Sequence, residues 1–491
     1  MSRPPKPQPR SGARPQPRPA SPSTPRSGAR AGSGSNTEPH PTPITLTVER
    51  AALGGRLLGY APDGRVAWVE GVVGLGDQVE GRVTRSQKRS VEVSVARVVA
   101  EGPERAAPFC DRVHKCGGCP WQALTEAQQL ATLERDVGRE LERVMGEPLP
   151  WAPSFSSPER AWRHTARLHL RAPNPTLGFF GADGEVVDLP TCPTFAPALN
   201  AALRAARQAL IGSSGALIEE GALHANGEVR LSAALGAASA TLSLTLRAPL
   251  TRSLRATLND VFERLCAEEG GAIHGVALSA PRSAQAEASF ETKEWGRPFN
   301  DLPVPHHAAA FMQAHQEGNA ALIDEVVRGC AGDARLLELY AGSGNLSVPL
   351  ARAEAHLGRR LTCLELDARA VSALRALAES EALPISAEPQ RISALPASVA
   401  RGEFDHVVLD PPREGAAPVM EALALAPIRA ISYVSCHPAA LARDLAPLKA
   451  AGWRVARARL FHLFPHSGHA EVYVQLISPT AGANTGDRPT P

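Results

Sequence analysis

The sequence has no uninterrupted apolar run long enough to cross a bilayer. Its N-terminus is basic but has no apolar core, so it does not resemble a secretory signal. Cysteine is scarce, with eight in 491 residues. We therefore expect a cytoplasmic protein without membrane contact, whose thiols stay reduced unless they bind metal or do chemistry. The length predicts several domains, and a hydrophobic content of 43% is enough to build their cores.

The net charge of +2 is distributed unevenly along the chain. Residues 1–43 carry a net charge of +6, which leaves −4 for the rest. This first segment consists mainly of Pro, Ser, Gly and Arg, and is predicted to be disordered because it has too little apolar surface to offset its ordering entropy. It is either a plain solvated tail or a weak RNA-tethering arm. Residues 479–491 form a second polar tail.

Residues 44–101 predict a small β-barrel. Short β-rich runs at 44–48, 65–69, 78–83 and 90–98 are separated by turn signals such as Pro62-Asp63-Gly64. An OB-like barrel of this kind is a common support for single-stranded nucleic acid.

Residues 102–305 are predicted to form a mixed α/β domain that contains a soft metal site. Cys110, Cys116 and Cys119 lie close together, and Cys192 follows far downstream. Four thiols suit an iron–sulfur cluster or zinc, and spacing alone does not separate the two. Disulfides are not expected in this compartment. The more closely spaced three cysteines that bind a radical SAM cluster are absent. The basic run 162–171 is a possible RNA-facing edge.

Residues 306–478 alternate between strand and helix patterns, as in a Rossmann-like domain. The predicted strand 336–340 is followed by Gly342 and Gly344, and the next strand, 361–366, contains Glu365, an acid suited to ribose hydroxyls. Ser347 stands where a dinucleotide fingerprint would have its third glycine. This difference favours S-adenosylmethionine over NAD, because the former has no pyrophosphate to bind.

Two further strand ends carry reactive groups. Asp410 follows the buried-strand pattern 406–409, and Cys436 follows 431–434. Ligands bind at the carboxyl ends of strands in open α/β sheets, so these residues are expected to share one crevice. Pro438 is expected in the first turn of the next helix, which would place Cys436 at a positive helix end that favours the thiolate. Glu471 opens the last predicted strand, where a buried carboxylate needs a partner or a function. An inert buried cysteine is the alternative for Cys436.

Together these residues resemble the uracil-5-methyltransferases that act on RNA, in particular the bacterial branch that modifies 23S ribosomal RNA. The resemblance covers residues 44–478. It implies a TRAM barrel at 44–101, a central iron–sulfur domain at 102–305 and a C-terminal methyltransferase domain at 306–478. Four ligands to a [4Fe-4S] cluster are implied, at Cys110, Cys116, Cys119 and Cys192.

The resemblance also implies the roles of the other site residues. The cofactor-binding residues would be Gln313 (in the segment Phe311-Met312-Gln313), Tyr340, Asn345, Glu365 and Asp410. Asp410 would in addition hold the uracil edge, Cys436 would be the nucleophile and Glu471 the proton-abstracting base. The chain departs from the family at five positions: His315 and His437 stand where Asn is common, Glu338 and Tyr340 replace Asp and Phe, and the acid expected near Arg391 is missing.

The implied reaction is methylation of carbon 5 of a uridine through a covalent Cys436 adduct at carbon 6. The expected partner is 23S rRNA, with transfer RNA as the second candidate, and no DNA; the protein is expected to be a monomer. Cytosine-5 methylation fits the Glu471 and Asp410 motifs less well. A non-catalytic iron–sulfur RNA-binding module would require a broken nucleophile or base, and both are present.

Overall fold

The structure is a computed structural model. It describes residues 43–171, 175–212, 216, 226–234, 236–247, 249–268, 270–281, 290–296 (backbone), 312–353, 356 and 358–479. Apart from Pro43 and Pro479, the two predicted tails lie outside the described residues, as do Phe311 and the predicted domain limit at 305–306. Within the described part, no helix is long and apolar enough to span a membrane.

The N-terminal region is a closed five-stranded barrel, as the sequence predicts. Its strands are β1 (Ile44–Ala52), β2 (Arg56–Tyr60), β3 (Val66–Glu70), β4 (Gln78–Ser86) and β5 (Ser90–Ala100), in the order β1-β2-β3-β5-β4. Alternate valines such as Val48, Val79 and Val93 fill the interior. The sequence pattern missed β2, which pairs with β1 after the glycine turn Gly54-Gly55.

A seven-stranded sheet forms the middle of the chain. Its strands are β7 (Thr165–Arg171), β8 (Thr176–Phe180), β9 (Val186–Asp188), β10 (Gly227–Ala233), β11 (Ala240–Leu246), β12 (Ile273–Pro281) and β13 (Phe290–Gly296), in the order β13-β12-β11-β10-β7-β8-β9. Helices α2 (Pro197–Ile211) and α3 (Arg252–Ala267) bury Leu203 and Phe262 against one face of the sheet.

Two elements inside the predicted middle domain contact the other domains instead. Helix α1 (Glu126–Met145) buries Leu133 and Val137 in a core shared with the barrel and the C-terminal sheet. The short strand β6 (Phe155–Ser156) pairs with the C-terminal sheet. Neither contact is visible in the local sequence pattern.

The C-terminal region is a doubly wound α/β domain. Its strands are β14 (Arg335–Leu339), β15 (Arg360–Glu365), β16 (Ile385–Pro389), β17 (His406–Leu409), β18 (Ala430–Ser435), β19 (Arg454–His462) and β20 (Glu471–Ile477). Its helices are α4 (Gln316–Gly329), α5 (Ser347–Arg352), α6 (Ala368–Ser380), α7 (Ala397–Ala400), α8 (Ala417–Ala424) and α9 (Pro438–Ala450). The sheet order is β16-β15-β14-β17-β18-β20-β19-β6. Strands β14 to β18 are parallel, and β20 runs antiparallel to β18.

The strand register brings the predicted site residues to one edge of this sheet. Leu339 pairs with Leu364 and Leu409, and Leu409 pairs with Tyr433. The residues at the carboxyl ends of these four strands therefore line one crevice, as the sequence predicts.

Candidate active site

Cys436 and Glu471 face each other across two antiparallel strands. Ser435, the last residue of β18, pairs with Val472 of β20. Continuing that register by one residue places Cys436 opposite Glu471, which is the first residue of β20. Residues directly opposite in an antiparallel pair are the closest cross-strand neighbours, with Cβ atoms about 5 Å apart. A thiol and a carboxyl group are therefore side by side at the mouth of the crevice.

Cys436 also lies at the start of α9, as predicted. His437 is the N-cap and Pro438 the first helical residue. The helix end favours the thiolate, but the other surroundings of the thiol oppose it. Burial, Glu471 and Asp410 raise the pKa of the Cys436 thiol to about 11, and the nearby Arg413 lowers it only in part. The prediction considered the helix end and not the two carboxyl groups that strand pairing brings to the thiol.

The two carboxyl groups beside Cys436 also have raised pKa values. Glu471 is 4% exposed, and burial together with Asp410 raises its pKa to about 8, while Arg413 acts in the opposite direction. Burial raises the pKa of Asp410 to about 7. A group poised near neutral pH can both accept and release a proton, which is the property that general acid–base chemistry requires.

The loop that follows Asp410 is fixed by Asp444, a buried residue of α9. One Asp444 carboxylate oxygen accepts hydrogen bonds from the Ala416 N–H (2.6 Å) and from the Tyr433 hydroxyl (2.7 Å). Gly415 has a φ of 79°, and a side chain there would collide with the same carboxylate. Sequence reasoning missed Asp444. The available signal was Tyr433, a tyrosine in a buried strand, whose hydroxyl needs a partner.

The glycine turn after β14 closes onto Glu365 at the end of β15. The Glu365 carboxylate accepts hydrogen bonds from the N–H groups of Gly342 (3.0 Å) and Asp367 (2.8 Å). Tyr340, although not glycine, has a φ of 66°, a conformation that costs roughly 1–3 kcal/mol. At Gly344, a Cβ would lie 2.7 Å from Leu374. The turn is thus held tightly against the half-buried acid predicted to bind the ribose.

Asn345, in the same turn, is paired with Asn319 of α4, a partner that the sequence did not reveal. Each side-chain amide donates to the oxygen of the other, at 2.8 and 3.0 Å. This pair joins the turn to the helix that follows Gln313. Gln313 is half-buried, two residues before the helix cap.

One departure from the family pattern, Glu338, is held by a neighbouring hydroxyl group. The Ser347 hydroxyl, at the position of the missing third glycine, donates a hydrogen bond to the Glu338 carboxylate. Burial is the main cause that raises the pKa of Glu338 to about 8, and Asp410 and Glu365 raise it further. Glu338 is 1% exposed, so it holds the turn from beneath and does not face the crevice.

Two further departures, His315 and His437, are both helix N-caps. The Nδ1 atom of His315 accepts the Gly318 N–H at 3.0 Å, and that of His437 accepts the Ala440 N–H at 3.1 Å. Asn is among the preferred N-cap residues because its side-chain oxygen does the same. An imidazole with an unprotonated Nδ1 therefore replaces the amide in its capping role.

The four predicted metal ligands lie in one neighbourhood beneath β8. Burial is the main cause that raises the pKa of Cys116 and Cys119, the latter to about 12, and the nearby Cys192 raises both further. The half-buried Arg163 lies close to these thiols, and its Nε atom has no hydrogen-bond partner among the described residues. Across the described ranges, no three His, Cys, Asp or Glu side chains are arranged to hold a metal ion.

The comparisons with known proteins agree with the fold. The family profile described as tRNA (Uracil-5-)-methyltransferase matches residues 305–478. The fold resembles that of Pyrococcus abyssi tRNA (uracil-54, C5)-methyltransferase, solved in complex with S-adenosyl-L-homocysteine, with a TM-score of 0.66 and 20% identity. That match covers 88% of this chain and 99% of the other.

Curated relatives extend the likeness to most of the sequence. The chain is 31% identical over 434 residues to a 23S rRNA (uracil(1939)-C(5))-methyltransferase of Pseudomonas putida, which covers 87% of this chain and 92% of that protein. A protein of the same description from Chromohalobacter salexigens is 30% identical, covering 89% of each. With the crevice and its residues, these similarities lead to one conclusion: the chain belongs to the RNA uracil-5-methyltransferase family.

Proposed function

We propose that this protein methylates carbon 5 of a uridine in 23S rRNA with S-adenosylmethionine as methyl donor. The observation that carries the proposal is the register of β18 and β20, which pairs Ser435 with Val472 and so brings Cys436 next to Glu471. The relatives of Pseudomonas putida and Chromohalobacter salexigens, named for uracil 1939 of 23S rRNA, support the substrate. A ribosomal substrate implies a cytoplasmic site of action.

The first chemical step uses Cys436. Carbon 5 of uracil is a weak nucleophile, and addition of sulfur at carbon 6 moves the ring electrons towards carbon 5 as an enolate. Asp410, at the end of the neighbouring strand, would hold the uracil edge during this addition. The base must first leave its stack to reach the crevice. Because the thiol pKa is about 11, the thiolate is a minor species in the RNA-free site, and Arg413 is the nearby cation that favours it.

The second half of the reaction uses Glu471. Carbon 5 takes the methyl group from the sulfonium of S-adenosylmethionine and then carries both a methyl group and a proton. The Glu471 carboxylate removes that proton, and the electrons left behind expel the Cys436 sulfur from carbon 6. A buried carboxylate with a raised pKa is a stronger base than an exposed one, which suits this step.

The proposed cofactor pocket is the glycine turn and its surroundings. Glu365, whose carboxylate is already oriented by two backbone N–H groups, would accept hydrogen bonds from the ribose hydroxyls. Tyr340 and Asn345 border the same turn, and Gln313 precedes the helix that Asn345 contacts through Asn319. Asp410 and Cys436, which the methyl donor has to reach, follow the neighbouring strands.

RNA would contact the open face of the middle sheet. Alternate residues of β7, Arg167, His169 and Arg171, lie on the face opposite to α2 and α3. The Phe180 ring is 4.2 Å from the His169 ring, and the Arg171 guanidinium lies 5.2 Å from the Phe180 ring centre. Exposed aromatic rings flanked by arginines bind unpaired bases by stacking. The chain beyond the basic tail is net negative, so such a local patch is needed to attract RNA.

The four cysteines would hold a [4Fe-4S] cluster. Backbone hydrogen bonds already fix their loops: the Cys110 N–H donates to Gln122 (3.2 Å), and the Cys192 N–H donates to Asn200 (2.9 Å). An anionic cluster would place negative charge beside the half-buried guanidinium of Arg163. We assign the cluster a structural role, because the proposed reaction needs no electron transfer.

Mass spectrometry of nucleosides tests the proposed function directly. Unmodified 23S rRNA and tRNA are each incubated with the protein and S-adenosylmethionine, and 5-methyluridine is then quantified. We expect it in 23S rRNA only. The profile named for tRNA makes tRNA the second candidate, and product in tRNA alone would move the substrate there. Absence from both would reject the function.

Cys436→Ala and Glu471→Gln are predicted to fail at different steps. Cys436→Ala should form no covalent complex with RNA. Glu471→Gln should add to the ring and transfer the methyl group, then stall, because loss of a general base typically slows a step by about 10²–10⁴. The stalled adduct appears on a denaturing gel as a protein–RNA band that carries label from the cofactor methyl. Normal turnover by Glu471→Gln would contradict this assignment.

Removal of the carbon-5 proton and product release should accelerate as the pH rises. Glu471 has a raised pKa of about 8, so its carboxylate is the minor form at pH 6 and the major form at pH 9. Single-turnover rates are therefore expected to climb by about tenfold per pH unit below the pKa and to level off above it. Circular dichroism at each pH confirms that the fold persists. A flat profile between pH 6 and 9 would show that Glu471 is not the base.

Glu365→Ala should weaken cofactor binding at least tenfold. Hydrogen bonds to a charged group contribute about 1.5–3 kcal/mol, and the substitution removes the acceptor. Calorimetry with S-adenosylmethionine measures the Kd, with Glu379→Ala, an exposed acid of α6, as the matched control. If the two variants bind S-adenosylmethionine with equal affinity, Glu365 does not bind the ribose.

Cys116→Ser should abolish the cluster, and Cys266→Ser, a cysteine of α3 outside the group, should not. We expect the first variant to lose iron, sulfide and visible absorption, and to have a lower Tm or weaker RNA binding. If the wild-type protein contains zinc and no iron, the four cysteines form a zinc site and do not hold a cluster. An apo-protein with full stability and RNA affinity would refute the structural role.

A further inference from the structure

The connection between β19 and β20, residues 463–470, is held from outside its own sheet. The His466 N–H donates to Oε1 of Gln129 in α1 (2.7 Å), and the His466 carbonyl accepts from the Trp121 N–H (3.0 Å). Two residues later, the Gly468 carbonyl accepts from the Gly54 N–H of the barrel (2.8 Å). Three distant parts of the chain thus fix the segment that leads into Glu471.

Gln129 makes the side-chain contacts of this junction. It is 1% exposed, and its Nε2 donates to the Leu124 carbonyl at 2.9 Å and lies 3.1 Å from Nδ1 of His466. One amide therefore binds both the backbone and the ring of His466. Glutamine can do this because its side-chain amide has both an acceptor for the His466 N–H and a donor for Nδ1.

The backbone of His466 has a conformation that is unusual for a residue other than glycine. It has a φ of 67° and is buried, so it occupies the left-handed region at a cost of roughly 1–3 kcal/mol. Such a conformation persists when the surroundings over-determine it, and Gln129 and Trp121 supply the two backbone hydrogen bonds that do so. Only four residues separate His466 from Glu471.

We propose that Gln129 is a positioning residue for Glu471, acting through His466. On its C-terminal side Glu471 is held by strand pairing, since Val472 faces Ser435. On its N-terminal side it depends on the 463–470 connection. The inference rests on the proposed function, in which the Glu471 carboxylate must reach the proton on carbon 5 while Cys436 is bonded to carbon 6. A displacement of about 1 Å in such an arrangement can cost about 100-fold in rate.

The test uses Gln129→Met, which keeps the length of the side chain and removes both hydrogen-bonding functions. Adduct formation should proceed near the wild-type rate, because Cys436 lies on another strand. Elimination should slow by about 10–100-fold, so the methyl-labelled protein–RNA band should accumulate, as for Glu471→Gln. Thr132→Val, a buried polar residue of α1 whose hydroxyl bonds only Gln128 (2.8 Å), is the matched control and should leave both steps unchanged.

His466→Gly provides a second variant, because glycine accepts the φ of 67° while the ring contact to Gln129 is lost. It should show a weaker stall of the same kind, because the backbone hydrogen bonds to Gln129 and Trp121 remain and only the ring contact is lost. This keeps the proposal testable if Gln129→Met does not fold. Equal slowing of addition and elimination, or no accumulation in either variant, would overturn the positioning role. If Glu471→Gln itself accumulates no adduct, the proposed function fails instead, and the two failures are thereby distinguished.

Discussion

The hydrogen-bonded register of the C-terminal sheet is the constraint on which the candidate site depends. Parallel pairing aligns Leu339 with Leu409, and antiparallel pairing aligns Ser435 with Val472. A slip of one residue would turn each side chain to the other face of the sheet. The glycine turn, the Asp410 loop and the start of α9 only refine positions that the backbone pairing has already set.

Burial at this edge of the sheet destabilises the ionised carboxyl groups and also makes them stronger bases. Glu338, Asp410 and Glu471 all have raised pKa values, chiefly because burial removes each carboxyl group from water. Their ionised forms destabilise the fold relative to the protonated forms, so the surrounding structure has to hold them in place. Asp444 does this for the Asp410 loop and Ser347 for Glu338. The same low polarity that destabilises the ionised acids makes Glu471 a strong base in the proposed mechanism.

Local sequence patterns predicted the elements of the site better than the contacts between them. Asp410 and Cys436 could be found because each directly follows a short buried strand, and Pro438 marks the helix start. The partners Asn319 and Asp444 could not, because they are 26 and 28 residues from Asn345 and Ala416. Gln129 and His466 are 337 residues apart. The raised pKa of the Cys436 thiol could not be predicted for the same reason, because it depends on burial and on the strand pairing that brings Glu471 close.

The central claim is that Cys436 and no other residue adds to the target uridine. RNA carrying 5-fluorouridine at that position tests it most directly, since fluorine cannot leave carbon 5 as a cation and the adduct persists. After trapping with S-adenosylmethionine, protease digestion and tandem mass spectrometry identify the modified peptide. The account predicts one methylated nucleotide bonded to the sulfur of Cys436. A bond to any other residue, or no bond at all, would contradict it.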